Sequence, residues 1–253
     1  MATIDNQPWV GAARRLDDID LPTIGKMISV GEDEVHAILD VESSGSGFDA
    51  KGRVKILFEP HIFYRELGPG TKRDKAVAQG LAYPAWKRDY PSDSYPRLIA
   101  AIAIDREAAF RSASWGLPQM MGFNCRACGY PSAESMVAAF AADEENQLRA
   151  MIDFIKSKGL DDELRRHDWA GFAKGYNGPG FAQNRYDAKL KERFEHWQKI
   201  KDTPMAQNKP VEAIQPQPAP MPAPGKTDAL GPVIAAPRPK NLLDAIRGLF
   251  KKA

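Results

Sequence analysis

The sequence predicts a mainly α-helical, α+β domain over residues 1–202, then a Pro-rich linker over 203–239 and a short basic amphipathic helix over 240–253. Three observations carry this. Apolar residues recur at helical spacing behind capping residues in several segments. A single run alternates as a strand does. Composition changes at Thr203, where TPMAQNKPVEAIQPQPAPMPAPGKTDALGPVIAAPRP is rich in Pro and Ala and has no aromatic. Such a stretch buries too little apolar surface to offset its ordering entropy, so an extended, disordered linker is expected. The pattern disfavours Rossmann, TIM-barrel and sandwich architectures.

The first core helix lies in residues 31–48, GEDEVHAILDVESSGSGF. Its first turn is acidic, as the helix dipole favours, and a Gly/Ser-rich stop follows Ser43. At about 100° per residue, Val35, Ile38 and Leu39 share one stripe and Glu42 falls in its middle, while His36 and Asp40 point toward solvent. The alternating run is residues 53–59, with Val54, Ile56 and Phe58 set against Lys55, Leu57 and Glu59. Asp93 or Ser94 caps a helix over 96–110 whose LIAAIAI core looks fully buried. Ser132 opens a helix reaching Ala141. Asp143 caps another that ends at Gly159, with Leu148, Met151, Ile152 and Ile155 on its apolar stripe. A last long helix covers 181–200, where Tyr186, Leu190, Phe194 and Trp197 keep helical spacing.

Composition excludes several classes. The 253 residues carry 35 Lys+Arg and 33 Asp+Glu, a net charge of +2, without the concentrated basic face of a nucleic-acid binder. No run approaches the roughly 20 apolar residues of a membrane span. The first 21 residues lack an apolar signal core and include Asp17, Asp18 and Asp20, so synthesis in the cytoplasm without a signal peptide is expected. Cys125 and Cys128 form a lone CxxC, and His36, His61, His167 and His196 show no ligand spacing, so neither metal nor cofactor is expected.

Glu42 is the most informative residue. A carboxyl on the buried face of a helix end is costly, and withdrawal from water favours its protonated form, a proton donor near neutral pH. The alternative is a buried acid neutralised by an Arg or by backbone N–H groups. Two later segments, ASWGLPQMMGFN (113–124) and GYNGPG (175–180), have no regular core-helix period. Each joins glycine turns to an aromatic and an amide, which suits a sugar-binding cleft; the alternative for either is a plain turn between helices.

Glu42, Ser43, Gly45, Gly47 and Phe48, then KILFEPHIFYR (55–65), SWGLPQMMGFN and YNGPG, taken in this order, resemble the N-acetylmuramidase family of phage endolysins and bacterial wall hydrolases. The resemblance covers residues 21–197. It implies a lysozyme-like fold with a small β-sheet beside the cleft. It also implies cleavage of the β-1,4 bond between N-acetylmuramic acid and N-acetylglucosamine in peptidoglycan, with Glu42 as the catalytic acid. Tyr176, Asn177 and Gln119 should line the site, and Ser114 and Trp115 count with them as substrate-binding residues. About 20 residues precede the resemblance, too few for the peptidoglycan-binding module that several such endolysins carry at that end.

Glycosidic cleavage commonly uses a second carboxylate. Glu59, at the end of the strand, fits best, with an ion pair to a neighbouring Lys or Arg as its alternative role; Asp49 is the runner-up. Relatives in the lytic-transglycosylase branch dispense with it and close a 1,6-anhydro ring. A non-catalytic lysozyme-fold protein and an inert carrier of a membrane-active tail are the remaining classes. In that tail, KNLLDAIRGLFKKA, Leu242, Leu243, Ile246, Leu249 and Phe250 form one stripe, and Arg247, Lys251 and Lys252 add positive charge. It suits an anionic interface, membrane lipid or lipopolysaccharide, or else docks on the domain or a partner. The expected form is a monomer that binds peptidoglycan glycan strands, waiting in the cytoplasm for a holin or another release route.

Overall fold

The computed structural model describes residues 7–17, 19–43, 45–87, 90–178 and 181–203. The expected linker beyond Thr203 and the expected amphipathic helix over 240–253, with the membrane-contact candidates Leu242 to Lys252, lie outside them. Among the described residues no helix is long and apolar enough to cross a membrane.

The chain is mainly helical with a three-stranded antiparallel sheet. After α1 (Asp20–Gly25) comes α2 (Glu32–Glu42), whose N-terminus is closed by the Glu34 carboxylate accepting the Gly31 N–H at 3.0 Å. Strand β1 (Ile56–Phe58) leads into α3 (Pro60–Leu67) and α4 (Thr71–Ala78). Helices α5 (Tyr95–Ile102) and α6 (Arg106–Arg111) precede the hairpin of β2 (Ala113–Trp115) and β3 (Met120–Met121). The second half holds α7 (Ala133–Ala142), α8 (Glu144–Ser157), α9 (Asp161–Arg165), α10 (Trp169–Asn177) and α11 (Tyr186–Trp197). Ser132 and Asp143 cap α7 and α8 through the N–H groups of Ser135 and Asn146, as the sequence predicts.

Two apolar clusters divide the molecule. One gathers the sheet with α3, α5, α6 and α7 around Phe58, Phe63, Phe110, Trp115 and Phe140. The other gathers α2, α8, α10 and α11 around Ile38, Leu148, Ile152, Phe172 and Leu190. Tyr176 packs against both, so the C-terminal turn of α10 sits on the seam between them.

Three expectations change. The helix expected over 96–110 is two helices, because the Asp105 side chain accepts the Ala108 N–H at 2.9 Å and starts a new one. Its apolar run is not fully buried either: Ile99 is 53% exposed. The strand shrinks to Ile56–Phe58, since Arg53 and Val54 make isolated bridges to Val10 and Phe48, and Leu57 and Glu59 are buried along with the expected face. The last helix breaks at Arg185, which adopts a left-handed φ of 53°, after a 3₁₀ turn over Phe181–Asn184.

α11 docks on α2 within the second cluster, and the two residues expected to face solvent, His36 and Asp40, also take part. Trp197 stacks on His36 at 3.6 Å between ring centroids and donates its indole N–H to Asp40 at 2.9 Å. Cys125 and Cys128 are unbridged and buried in the sheet-side cluster, where burial pushes both thiols up.

Candidate active site

The apolar stripe of α2 buries Val35 and Ile38 completely, and the same face carries Glu42 inward at the last turn, where it is 6% exposed. The end of α10 meets it there. Asp168 caps that helix by accepting the Gly171 N–H, and Phe172 anchors it in the core. Tyr176 stacks on Phe172 at 5.4 Å and meets Phe154 edge-on at 5.7 Å. This packing aims Asn177, which donates from Nδ2 to Glu42 Oε1 at 3.0 Å. Asn177 Oδ1 is buried without a hydrogen-bond partner. Such an acceptor is a costly feature unless a bound group supplies a donor. The GYN segment is thus the final turn of a helix rather than a loop, and Gly178, at φ 76°, ends it.

The Gly/Ser-rich segment after Glu42 is tied to the start of α8. Glu144, 4% exposed, accepts the Gly47 N–H at 2.8 Å and the Leu16 N–H at 3.1 Å, and pairs with Arg15 at 3.2 Å. One turn on, the fully buried Gln147 accepts the Leu117 N–H at 2.6 Å and donates to the Phe140 carbonyl at 2.9 Å. Gly47 and Gly116 both pack against its amide, and a Cβ at either would collide with it. Two loops far apart in sequence are thereby fixed to one helix turn. Sequence reasoning missed Glu144 and Gln147; the acidic, amide-bearing EENQ behind the Asp143 cap was the available signal.

The sheet divides its side chains by alternation. β1 and β2 pair with Ile56 opposite Trp115 and Phe58 opposite Ala113. On one face Phe58 and Trp115 enter the core; Trp115 is 0% exposed, stacks on Phe110 and donates to the Phe110 carbonyl. Its ring therefore offers no surface to a sugar, which corrects the reading of Trp115 as a direct contact. Leu57 and Ser114 share the opposite face, and the same alternation carries Glu59 there. Ser114 Oγ donates to Gln119 Oε1 at 3.0 Å, and Gln119 Nε2 donates to the Gly116 carbonyl at 2.8 Å. These bonds hold Gln119 in a left-handed conformation, φ 48°, that a non-glycine residue rarely adopts.

Glu59, also 6% exposed, accepts the Tyr90 O–H and lies 3.4 Å from His61 Nδ1. Burial and the facing carboxylate push the Tyr90 phenol far up, so it stays a donor. Burial, with Arg65 nearby, lowers the pKa of His61. Asp49 is spent differently. It accepts the Lys51 and Arg53 N–H groups and pairs with the Arg53 guanidinium at 2.7 Å, which also reaches Asp93 and covers the Tyr95 ring. That arrangement staples a turn. The structure thus joins Glu42 to Asn177 and Ser114 to Gln119, places Glu59 on the face shared with Ser114, and commits Asp49 to its own loop.

Compared with known proteins, the chain matches the N-acetylmuramidase family model over residues 32–198, a span holding every candidate residue of the folded domain. It is similar to a Burkholderia AP3 phage endolysin of known crystal structure, at 35% identity and a TM-score of 0.68, covering 74% of this chain and 73% of that one. No curated protein matches it.

Proposed function

Because the chain belongs to the N-acetylmuramidase family and so to the lysozyme-type glycoside hydrolases that act on peptidoglycan, we propose that it cleaves the β-1,4 bond between N-acetylmuramic acid and N-acetylglucosamine with Glu42 as general acid. The observation that carries this is the buried Glu42 carboxyl held by Asn177 at the seam of the two clusters. A carboxyl withdrawn from water disfavours its charged form and can hand a proton to the leaving glycosidic oxygen. The Asn177 amide fixes its orientation, and the unpartnered Asn177 Oδ1 accepts a donor from the sugar, a hydroxyl or an N-acetyl N–H.

Ser114, Gln119 and Tyr176 complete the substrate contacts in this reading, with Trp115 supporting the hairpin from beneath. Glu59 is the second carboxylate, facing the side of the sheet that Ser114 occupies; Asp49 is held by Arg53 and is set aside. The similar phage protein is an endolysin, and the same wall-opening role is proposed for this chain. Mass spectrometry of sugar ends released from purified peptidoglycan tests the chemistry. Reducing N-acetylmuramic acid ends are expected; 1,6-anhydro ends would replace hydrolysis by internal ring closure.

A further inference from the structure

We propose that the sugar-binding groove continues past Glu59 to Trp86, whose exposed indole face stacks on an additional pyranose ring of the glycan strand. This rests on the hydrolase reading above and extends it to a remote subsite.

Trp86 is 38% exposed and, among the described residues, is the one exposed Phe, Tyr or Trp. A bare indole on a surface calls for a reason, since the other aromatics of the domain are buried or half-buried. The ring is also held in place. Its ring lies 6.3 Å from that of Tyr90, and Tyr90 in turn donates to Glu59. Packed beside Tyr90, the indole still keeps more than a third of its surface open to solvent. Flat, ordered aromatic surface is what a pyranose ring needs, and prior ordering lowers the entropy lost on binding.

The relay also sets the direction. Glu59 follows β1 on the face that Leu57 and Ser114 share, and Ser114 holds Gln119. Ser114 and Glu59 thus share one side of the sheet, and Tyr90 joins Glu59 to Trp86. A polymer lying along it would reach Trp86 only when long enough, so the subsite should discriminate by strand length.

The test uses full-length protein carrying Glu42→Gln, so that binding is read without turnover. Peptide-free glycan strands and a muropeptide-free tetrasaccharide are titrated calorimetrically, with and without Trp86→Ala. Expected is about a tenfold rise in Kd for long strands, with the tetrasaccharide changed less than about twofold. Trp86→Phe, which keeps a ring face, should recover most of the loss. Unchanged binding of long strands in Trp86→Ala, or equal losses for both ligands, overturns the proposal. So does a loss that Trp86→Phe fails to recover, as does a parent that binds neither ligand. Failure of the hydrolase reading registers separately, as missing muramic acid ends from the wild-type enzyme.

Discussion

Glu42 and Glu59 are the same side chain at the same 6% exposure, yet they stand in opposite surroundings. Glu42 ends a helix and accepts from the neutral Asn177 amide, whose own oxygen is buried without a partner. Glu59 follows a strand and is met by a phenol and an imidazole. Burial alone therefore assigns no role to a carboxyl. The partners differ: a neutral amide donates to Glu42, whereas a phenol donates to Glu59, and the two settings suit different tasks. Glu144 marks a third case, 4% exposed and engaged by backbone N–H groups and Arg15, with a wholly architectural task.

The sharpest break of the comparison is a pair of isosteric variants. Glu42→Gln should lower turnover of peptidoglycan by about a thousandfold, the scale of a lost general acid, with the far-UV spectrum unchanged. Glu59→Gln should lower it by about ten- to a hundredfold, because a supporting charge is lost rather than the proton donor. If the two variants were reversed in severity, the assignment of roles would be reversed too.

Glu144→Ala comes next, and acts on stability. It strands the Gly47 and Leu16 N–H groups, and about 2–4 kcal/mol should be missing from urea unfolding. A variant as stable as the parent would remove Glu144 as the anchor of the loop after Glu42. The smallest effect concerns His61. Its pKa is lowered in the fold by burial and then by Arg65, so below the unfolded value of about 6.5 the unfolded chain takes up the proton first. Stability due to this group is present at higher pH and lost as pH falls through that value. His61→Asn should flatten the difference in melting temperature between pH 7.5 and pH 5.5; an unchanged slope would place the imidazole in open solvent.

Legibility in the sequence followed the range of the signal. Glu42 was visible because it interrupts an apolar stripe two turns long, and the caps Ser132 and Asp143 because they act within three residues. The segment around Tyr176 and Asn177 stood out by its glycines and resemblance, although its helical geometry did not. Asp105 was overlooked because a propensity window reads straight across a single capping side chain. Trp115 misled for a related reason: an aromatic beside glycines looks like a binding face, and only the sheet's alternation turns it inward.

The amino-acid sequence by itself determined the helical class, the change of composition at Thr203, the acid on the buried stripe and the family likeness, since each is written in neighbours along the chain. Tertiary structure alone decided which polar group meets which buried acid. Asn177 reaches Glu42 across 135 positions, and Glu144 reaches Gly47 across 97. Contacts of that span are selected by the packing of two clusters against each other, and no local periodicity encodes them.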